Sequence, residues 1–100
     1  MPVVMQMHWP EITVDEYEEA RRRVGWETAV PEGALFHVAW FGDDGFHVVD
    51  VWESGGDFDR FVNDRLMPVV AGEMGITSQP NVSITPTQAV FNPASAPVAS

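Results

Sequence analysis

The sequence predicts one α+β domain of the ferredoxin-like type, with the element order β-α-β-β-α-β. Three features predict it. Four apolar runs have the length and the alternation of strands. Two amphipathic segments, each preceded by a capping residue, follow the first and the third run. The turn Gly42-Asp43-Asp44-Gly45 joins the two central runs and is typical of a tight hairpin. This order gives an antiparallel sheet with two helices on one face.

The first strand is predicted at residues 3–9, where apolar residues recur at every second position until Pro10 ends the run. The first helix is predicted at residues 14–25. Thr13 and Glu16 have the spacing of a capping box, and the acids come early and the arginines late, which suits the helix dipole. The buried stripe of this helix is predicted to contain Val14, Tyr17, Ala20 or Arg21, and Val24.

The central hairpin carries two ionisable residues inside runs that are apolar on both faces, His37 in residues 34–41 and Asp50 in residues 46–53. If Gly42-Asp43-Asp44-Gly45 forms the loop, Phe41 pairs with Phe46, His37 lies opposite Asp50, and Trp40 lies opposite His47. A bulge at Gly45 would shift the register by one residue and change which faces match.

The second helix is predicted to begin after Ser54, with Asp57 in a shorter variant of the capping box. Pro68 should kink this helix or end its first part, because the proline ring displaces a helical carbonyl. The last strand is predicted at residues 81–90, at an edge or with a bulge because of Pro86. The domain is therefore expected at residues 1–91, followed by a flexible tail at residues 92–100.

The composition excludes several function classes. The net charge is −10, from fifteen acids against five arginines without any lysine, so neither nucleic acid nor an anionic membrane is an expected partner. Cysteine is absent, which excludes disulfides, a thiol nucleophile and cysteine-ligated metals. No apolar stretch has the ~20 residues of a membrane helix, and the first residues lack the pattern of a signal peptide, so we expect a cytoplasmic protein.

The sequence also predicts a homodimer. Two helices on one side of the sheet cover only one face, whereas the strand patterns are apolar on the other face as well. A second copy of the chain is the simplest cover for that face.

Several segments resemble a known family: the run from Asp44 to Ser54, Phe58 with Phe61, the run Arg65-Leu66-Met67-Pro68, and Gly75-Ile76. Together they resemble the small dimeric α+β barrel proteins of the antibiotic-biosynthesis-monooxygenase-like group, including actinobacterial members, over roughly residues 1–91. The resemblance implies a homodimer in which two sheets form a shared barrel, with ligands held between the sheet and the helices of each subunit. The superfamily includes cofactor-free oxygenases, haem-degrading enzymes, polyketide cyclases and members with no known reaction.

The candidate catalytic residues are His37 and Asp50. A carboxylate beside a histidine fixes its tautomer and makes it more basic, which suits removal of a proton from a phenolic or enolic substrate. The resulting carbanion would react with oxygen or rearrange without a metal or other cofactor. The alternative is a structural cross-strand pair that satisfies two polar groups. The predicted substrate-binding residues are Trp52 and Phe41 as pocket walls, together with Trp9 and His8. His8 is placed either at the pocket mouth or, alternatively, on the surface at the end of the first strand.

No metal site is predicted, because the three histidines lack the spacing of a ligand motif. The haem-degrading branch uses a histidine on a helix, whereas His8, His37 and His47 all lie in predicted strands. Two hypotheses therefore remain, with haem binding a weaker third. The first is a cofactor-independent oxygenase, isomerase or cyclase acting on a small aromatic or polyketide-like molecule. The second is a non-catalytic dimeric module that has a structural or ligand-binding role.

Overall fold

Four strands and two helices alternate in the order that the sequence predicts. The computed structural model describes residues 1–93. The elements are β1 (Val3–Trp9), α1 (Val14–Val24), β2 (Ala34–Gly42), β3 (Gly45–Trp52), α2 (Gly55–Phe61) and β4 (Asn81–Pro86). The strands form one antiparallel sheet in the order β2-β3-β1-β4. The predicted ferredoxin-like α+β fold is confirmed. The predicted tail, residues 92–100, lies almost wholly outside the described residues.

Helix α1 begins with the predicted capping box. The Glu16 N–H donates to the Thr13 hydroxyl at 3.1 Å, and the Thr13 N–H donates to the Glu16 carboxylate at 2.9 Å. The helix ends at Gly25, whose φ of 70° is the left-handed conformation of a helix C-cap. Ala20 is buried as predicted, but Val14, the first residue of the helix, is 55% exposed.

The hairpin between β2 and β3 has the predicted register. Phe41 pairs with Phe46, His37 with Asp50 and Trp40 with His47. The irregularity in this ladder lies between residues 34 and 36, at the far end from the turn, so it does not disturb these pairs.

Helix α2 continues past Pro68 instead of breaking there. Residues Val62–Leu66 and Pro68–Glu73 are π-helical, and the Met67 N–H donates to the Val62 carbonyl, five residues back. The wider turn accommodates the proline, which lacks an N–H and clashes with an ordinary α-helical register. The predicted end of the helix at Pro68 is therefore wrong, and the helical segment changes its type there instead.

We call the side of the sheet that the helices pack against the covered face. Its core joins inward-facing strand residues to both helices, and Met5 is only 1% exposed. The buried core residues are Met5, Met7, Trp9, Ile12, Ala20, Phe46, Val48, Trp52, Phe58 and Val70. Within residues 1–93, no helix is long and apolar enough to cross a membrane.

We call the opposite side of the sheet the open face. On β2 it presents Phe36, Val38 and Trp40, which are 52%, 41% and 44% exposed. The sequence-based expectation that this whole face is apolar is only partly right. On β1 and β4 most outward positions hold polar residues, including Gln6 and Ser83, and Val4 is the exception. The apolar part of the open face thus lies mainly on the β2–β3 side.

Candidate active site

The two predicted catalytic residues meet on the covered face. His37 on β2 and Asp50 on β3 are direct cross-strand partners, and His37 Nδ1 lies 2.7 Å from Asp50 Oδ1. The other carboxylate oxygen, Oδ2, accepts a hydrogen bond from the Trp52 indole N–H at 3.1 Å. The side chain of Asp50 is 10% exposed and that of His37 is 33% exposed. Both oxygens of a nearly buried carboxylate are therefore occupied by specific donors.

The hydrogen bonds assign the tautomer of His37. A carboxylate can only accept, so Nδ1 of His37 carries the proton and donates it to Asp50. In the neutral ring Nε2 is then an acceptor, and the hydroxyl of Tyr17 on α1 lies 2.9 Å from it. The result is a continuous chain in which Tyr17 donates to His37, His37 donates to Asp50, and Trp52 donates to Asp50.

Tyr17 is a site residue to which the sequence analysis assigned no role beyond the buried stripe of α1. Its ring packs against Phe46 at 4.9 Å and Trp26 at 5.9 Å between ring centroids. Burial raises the pKa of the Tyr17 hydroxyl, an effect opposed by the nearby positive charge of Arg21. The hydroxyl is thus protonated at neutral pH. A signal was present in the sequence, because this is the chain's single tyrosine and its polar tip falls on a buried stripe.

Two cavities meet at the His37–Asp50 pair. The inner cavity, about 80 Å³, lies between the sheet and the helices, and the outer groove, about 190 Å³, lies beneath residues 26–36. Four residues line both spaces: Trp26, His37, Asp50 and Phe61. Tyr17 lines the inner cavity. The His37–Asp50 pair therefore lines both spaces, together with the aromatic side chains of Trp26 and Phe61.

The walls of both cavities are mainly apolar. Besides Asp50, the one acidic residue among the described lining residues is Glu16, at the inner cavity, and no arginine lines either space. Arg65, in the π-helical segment, lies over the Phe61 ring at 5.6 Å and donates to the Val24 carbonyl at 3.1 Å. This surrounding offers no cation to a carboxylate or phosphate group, so it suits a neutral aromatic molecule.

The four predicted substrate-binding residues fall at different places. Trp52 lines the outer groove, and Trp9 lines the inner cavity, where its indole N–H donates to the Ser78 hydroxyl at 2.8 Å. Phe41 lies on the covered face, where its ring contacts Tyr17 and Phe46, but it lines neither space. The placement of His8 at the pocket mouth is wrong. Because Trp9 points inward, the strand alternation turns His8 to the open face.

On the open face His8 joins a second polar cluster. The His8 and His47 rings stack with centroids 4.5 Å apart and planes 7° apart, and Trp40 stacks on His47 at 5.0 Å. His47 Nε2 bonds Asp44 Oδ1 at 2.6 Å, and His8 Nε2 bonds the Asp44 carbonyl at 2.8 Å. Within residues 1–93, His8, Asp44 and His47 form the one group whose possible ligand atoms lie close enough together for a metal ion. Parallel stacked rings, however, cannot direct both Nε2 lone pairs at a shared ion.

Comparison with known proteins identifies the fold. The sequence matches no family model and no curated protein. Among solved structures, a protein of unknown function from Nitrosomonas europaea, NE2512, superposes with a TM-score of 0.64 at 13% identity, covering 92% of this chain and 93% of that one. SnoaB, a cofactor-independent oxygenase from Streptomyces nogalater, has a TM-score of 0.59 at 16% identity, covering 90% and 94% of the two chains.

A third neighbour is the haem-degrader MhuD from Mycobacterium tuberculosis, with a TM-score of 0.53 and 17% identity, covering 92% of this chain and 100% of that one. This chain shares the fold of the antibiotic-biosynthesis-monooxygenase-like proteins. The resemblance noted in the sequence is thus confirmed at the level of fold. Because one fold supports both a cofactor-independent oxygenase and a haem-degrader, the fold does not assign the chemistry of this chain.

Proposed function

We propose that this chain is a cofactor-independent monooxygenase, isomerase or cyclase that removes a proton from a small, neutral aromatic or polyketide-like molecule. His37 is the general base and Asp50 orients it. The observation that carries the proposal is the hydrogen-bonded chain through His37 and Asp50 at the junction of two apolar cavities.

The chemistry follows from the tautomer of His37. With Nδ1–H bonded to Asp50, the neutral ring presents Nε2 as a base toward the inner cavity. When a proton arrives at Nε2 the ring becomes an imidazolium, and the adjacent, nearly buried Asp50 carboxylate stabilises that charge. A carboxylate buried in a core rarely adds stability over apolar residues of similar size, so the presence of Asp50 there supports a functional role.

The cavity dimensions bear on the substrate. The inner cavity is smaller than the roughly 150 Å³ that holds benzene in an engineered protein core. A bicyclic or larger aromatic molecule therefore has to extend into the outer groove, past the side chains of Trp26 and Phe61. The absence of arginine among the described lining residues favours a neutral molecule whose acidic proton is on carbon or on a phenol.

The fate of the substrate anion separates the three reaction types. In an isomerase or cyclase the anion rearranges and takes a proton back, so no further reactant is needed. In a monooxygenase dioxygen is the second substrate: one oxygen atom replaces two hydrogens at the reacting carbon, and the other oxygen leaves with those hydrogens as water. Among the neighbours, SnoaB is a cofactor-independent oxygenase.

A thermal-shift screen against quinols, flavonoids, polyketides and haem tests the proposal, because a ligand that binds only the folded chain raises the melting temperature. We expect a neutral aromatic compound to stabilise the protein and to be turned over, with or without oxygen uptake. His37→Ala should still bind this compound and lose about 100-fold in rate or more. Equal turnover by wild type and His37→Ala would show that His37 is not the base. A Soret shift with haem would favour the haem alternative.

The rival proposal is a non-catalytic dimeric module. In that case His37 and Asp50 fix the hairpin register, and a ligand stabilises the chain without being converted. The same screen separates the two functions, since binding without turnover by the wild-type protein favours the module.

Under either function we propose that the chain forms a homodimer through its open face. Phe36, Val38 and Trp40 form a row of large apolar side chains, each at least 41% exposed, along one strand of that face. Contiguous apolar surface of this kind marks an interaction site. A second copy offers the same row, so that two such faces are self-complementary about a two-fold axis.

A further inference from the structure

Neither ring nitrogen of His37 is free in this structure. Nδ1 bonds Asp50 at 2.7 Å, and Nε2 bonds the Tyr17 hydroxyl at 2.9 Å. A substrate that is to give its proton directly to Nε2 must therefore displace Tyr17. The atom next to Nε2 along the hydrogen-bonded chain is the Tyr17 oxygen, which belongs to a side chain that itself lines the inner cavity.

Displacement of Tyr17 is opposed by its packing. Its ring lies 4.9 Å from Phe46 and 5.9 Å from Trp26, and it meets the Phe41 ring edge-on at 6.4 Å. It also lies nearly parallel to the His37 ring, with an angle of 17° between the planes. Aromatic contacts on several sides hold the hydroxyl in one position, which suits a fixed relay better than a residue that swings aside.

We propose that Tyr17 is a catalytic residue, and that the substrate's proton reaches His37 through its hydroxyl. This inference rests on the proposed function. The Tyr17 oxygen accepts the proton from the substrate's C–H or O–H bond while its own hydrogen passes to His37 Nε2. The electron pair of the broken bond remains on the substrate, which becomes an anion. His37 becomes an imidazolium beside Asp50, and Tyr17 ends the step as it began, a neutral phenol.

The electrostatic surroundings of Tyr17 are consistent with this concerted path. Burial raises the pKa of its hydroxyl, and the carboxylates of Glu18, Glu27 and Asp50 act in the same direction, against the opposing charge of Arg21. A persistent phenolate is therefore disfavoured. A hydroxyl that receives one proton as it gives up another never has to carry that charge.

The test uses nitrobenzisoxazole, a neutral bicyclic aromatic whose ring C–H proton is removed by a general base. Loss of this proton breaks the N–O bond of the ring, forms a nitrile and yields a coloured phenolate. The reaction therefore needs neither an oxidant nor a cofactor. We expect wild-type protein to accelerate this reaction over buffer. His37→Ala and Tyr17→Phe should each lose about 100-fold, within the range of general-base catalysis. Phe91→Leu, at an aromatic side chain that is 83% exposed and lines neither cavity, is the control and should keep the wild-type rate.

The outcomes separate the relay from the proposed function. If Tyr17→Phe is as fast as wild type or faster while His37→Ala is inactive, Tyr17 only covers the base, and the relay is wrong. If wild type does not exceed buffer, or if His37→Ala retains the full rate, the proposed function itself fails with this probe. Circular dichroism of each variant confirms that a lost rate is not a lost fold.

A second measurement needs no turnover. Diethyl pyrocarbonate acylates the unprotonated nitrogen of a neutral histidine, and peptide mass spectrometry resolves each histidine separately. We expect slow modification of His37 in wild type and fast modification in Tyr17→Phe, with the rates of His8 and His47 unchanged as internal references. Equal rates at His37 in the two proteins would show that the hydroxyl does not hold Nε2, and the relay would be wrong.

Discussion

Each face of the sheet carries a histidine bonded to an aspartate, and the two pairs have almost the same length. On the covered face His37 and Asp50 are 2.7 Å apart, and on the open face His47 and Asp44 are 2.6 Å apart. The surroundings of the two carboxylates differ sharply, because the Asp50 side chain is 10% exposed and the Asp44 side chain is 65% exposed, whereas the His37 side chain, at 33%, is more exposed than that of His47, at 21%. The distance between charged atoms alone therefore says little about what such a pair contributes.

The comparison shows how burial separates a candidate catalytic pair from a surface pair. The Trp52 indole N–H donates to the second oxygen of Asp50, and the Tyr17 hydroxyl bonds Nε2 of His37. The orientation of the His37–Asp50 pair is therefore fixed by hydrogen bonds among four side chains. Asp44 lies in the hairpin turn, in contact with water, where a high dielectric constant and side-chain entropy reduce the value of an ion pair. A histidine and an aspartate are thus held in a fixed orientation on the covered face, whereas on the open face the same two residue types form an ion pair of little energetic value.

The largest expected effect changes the open face itself. Val38→Glu places a negative charge in the apolar row, twice per proposed dimer, and should weaken self-association by about 100-fold or more because the charges are desolvated near one another. Sedimentation velocity measures it. Val14→Glu makes the same chemical change at a valine of α1 that is 55% exposed, and should leave the dimer intact.

A wild-type protein that sediments as a monomer at micromolar concentration would show the homodimer proposal to be wrong. It would also sharpen the comparison of the two pairs, since His47 and Asp44 would then remain as exposed in solution as they are in the single chain.

The next effect concerns the covered face. Asp50→Ala leaves the Trp52 N–H and the His37 Nδ1–H without their acceptor, and should lower the free energy of unfolding by about 3 kcal/mol. Asp44→Ala is the matched control on the open face and should leave the urea midpoint unchanged within error. Urea unfolding followed by tryptophan fluorescence measures both variants. Equal losses in the two would mean that burial does not distinguish the pairs.

The covered-face pair was predictable from the sequence because a two-stranded register is a local property. The turn between Gly42 and Gly45 fixes which residues of β2 and β3 face each other, and the register then places His37 opposite Asp50. The role of Tyr17 was not predictable in the same way. The helical period shows that Tyr17 points at the sheet, but only the tertiary packing of α1 decides which strand residue its hydroxyl meets.

Two differences from expectation have equally physical reasons. His8 was expected at the pocket mouth or on the surface at the strand end, and the alternation that turns Trp9 inward turns His8 to the open face. Pro68 was expected to kink the helix or to end its first part, and helical structure continues past Pro68 as π-helical turns, which a period of 3.6 residues does not reveal. The pairing of residues across neighbouring strands was thus predictable from the sequence, whereas the contacts between helix and sheet that complete the site were not.

The smallest expected effect is a pKa shift at the open-face pair. The hydrogen bond from His47 lowers the pKa of Asp44 below its usual value of 3.8, and the charge of His8 acts in the same direction. A carboxyl whose pKa is lower in the folded than in the unfolded chain stabilises the fold above its unfolded pKa. That contribution is lost as the pH falls through the lower folded value. Protonation of Asp44 should therefore weaken the pair in acid, below about pH 4.

His47→Ala should return the Asp44 pKa toward its usual value, and carbon-detected NMR titration of the side-chain carboxyls measures it. His37→Ala, which removes the histidine of the other face, should leave Asp44 unchanged. If the Asp44 pKa does not move in His47→Ala, the short contact is not maintained in solution. In that case the open-face histidines only stack on Trp40. The covered face would then carry an ion pair, and the open face would be a hydrophobic surface without one.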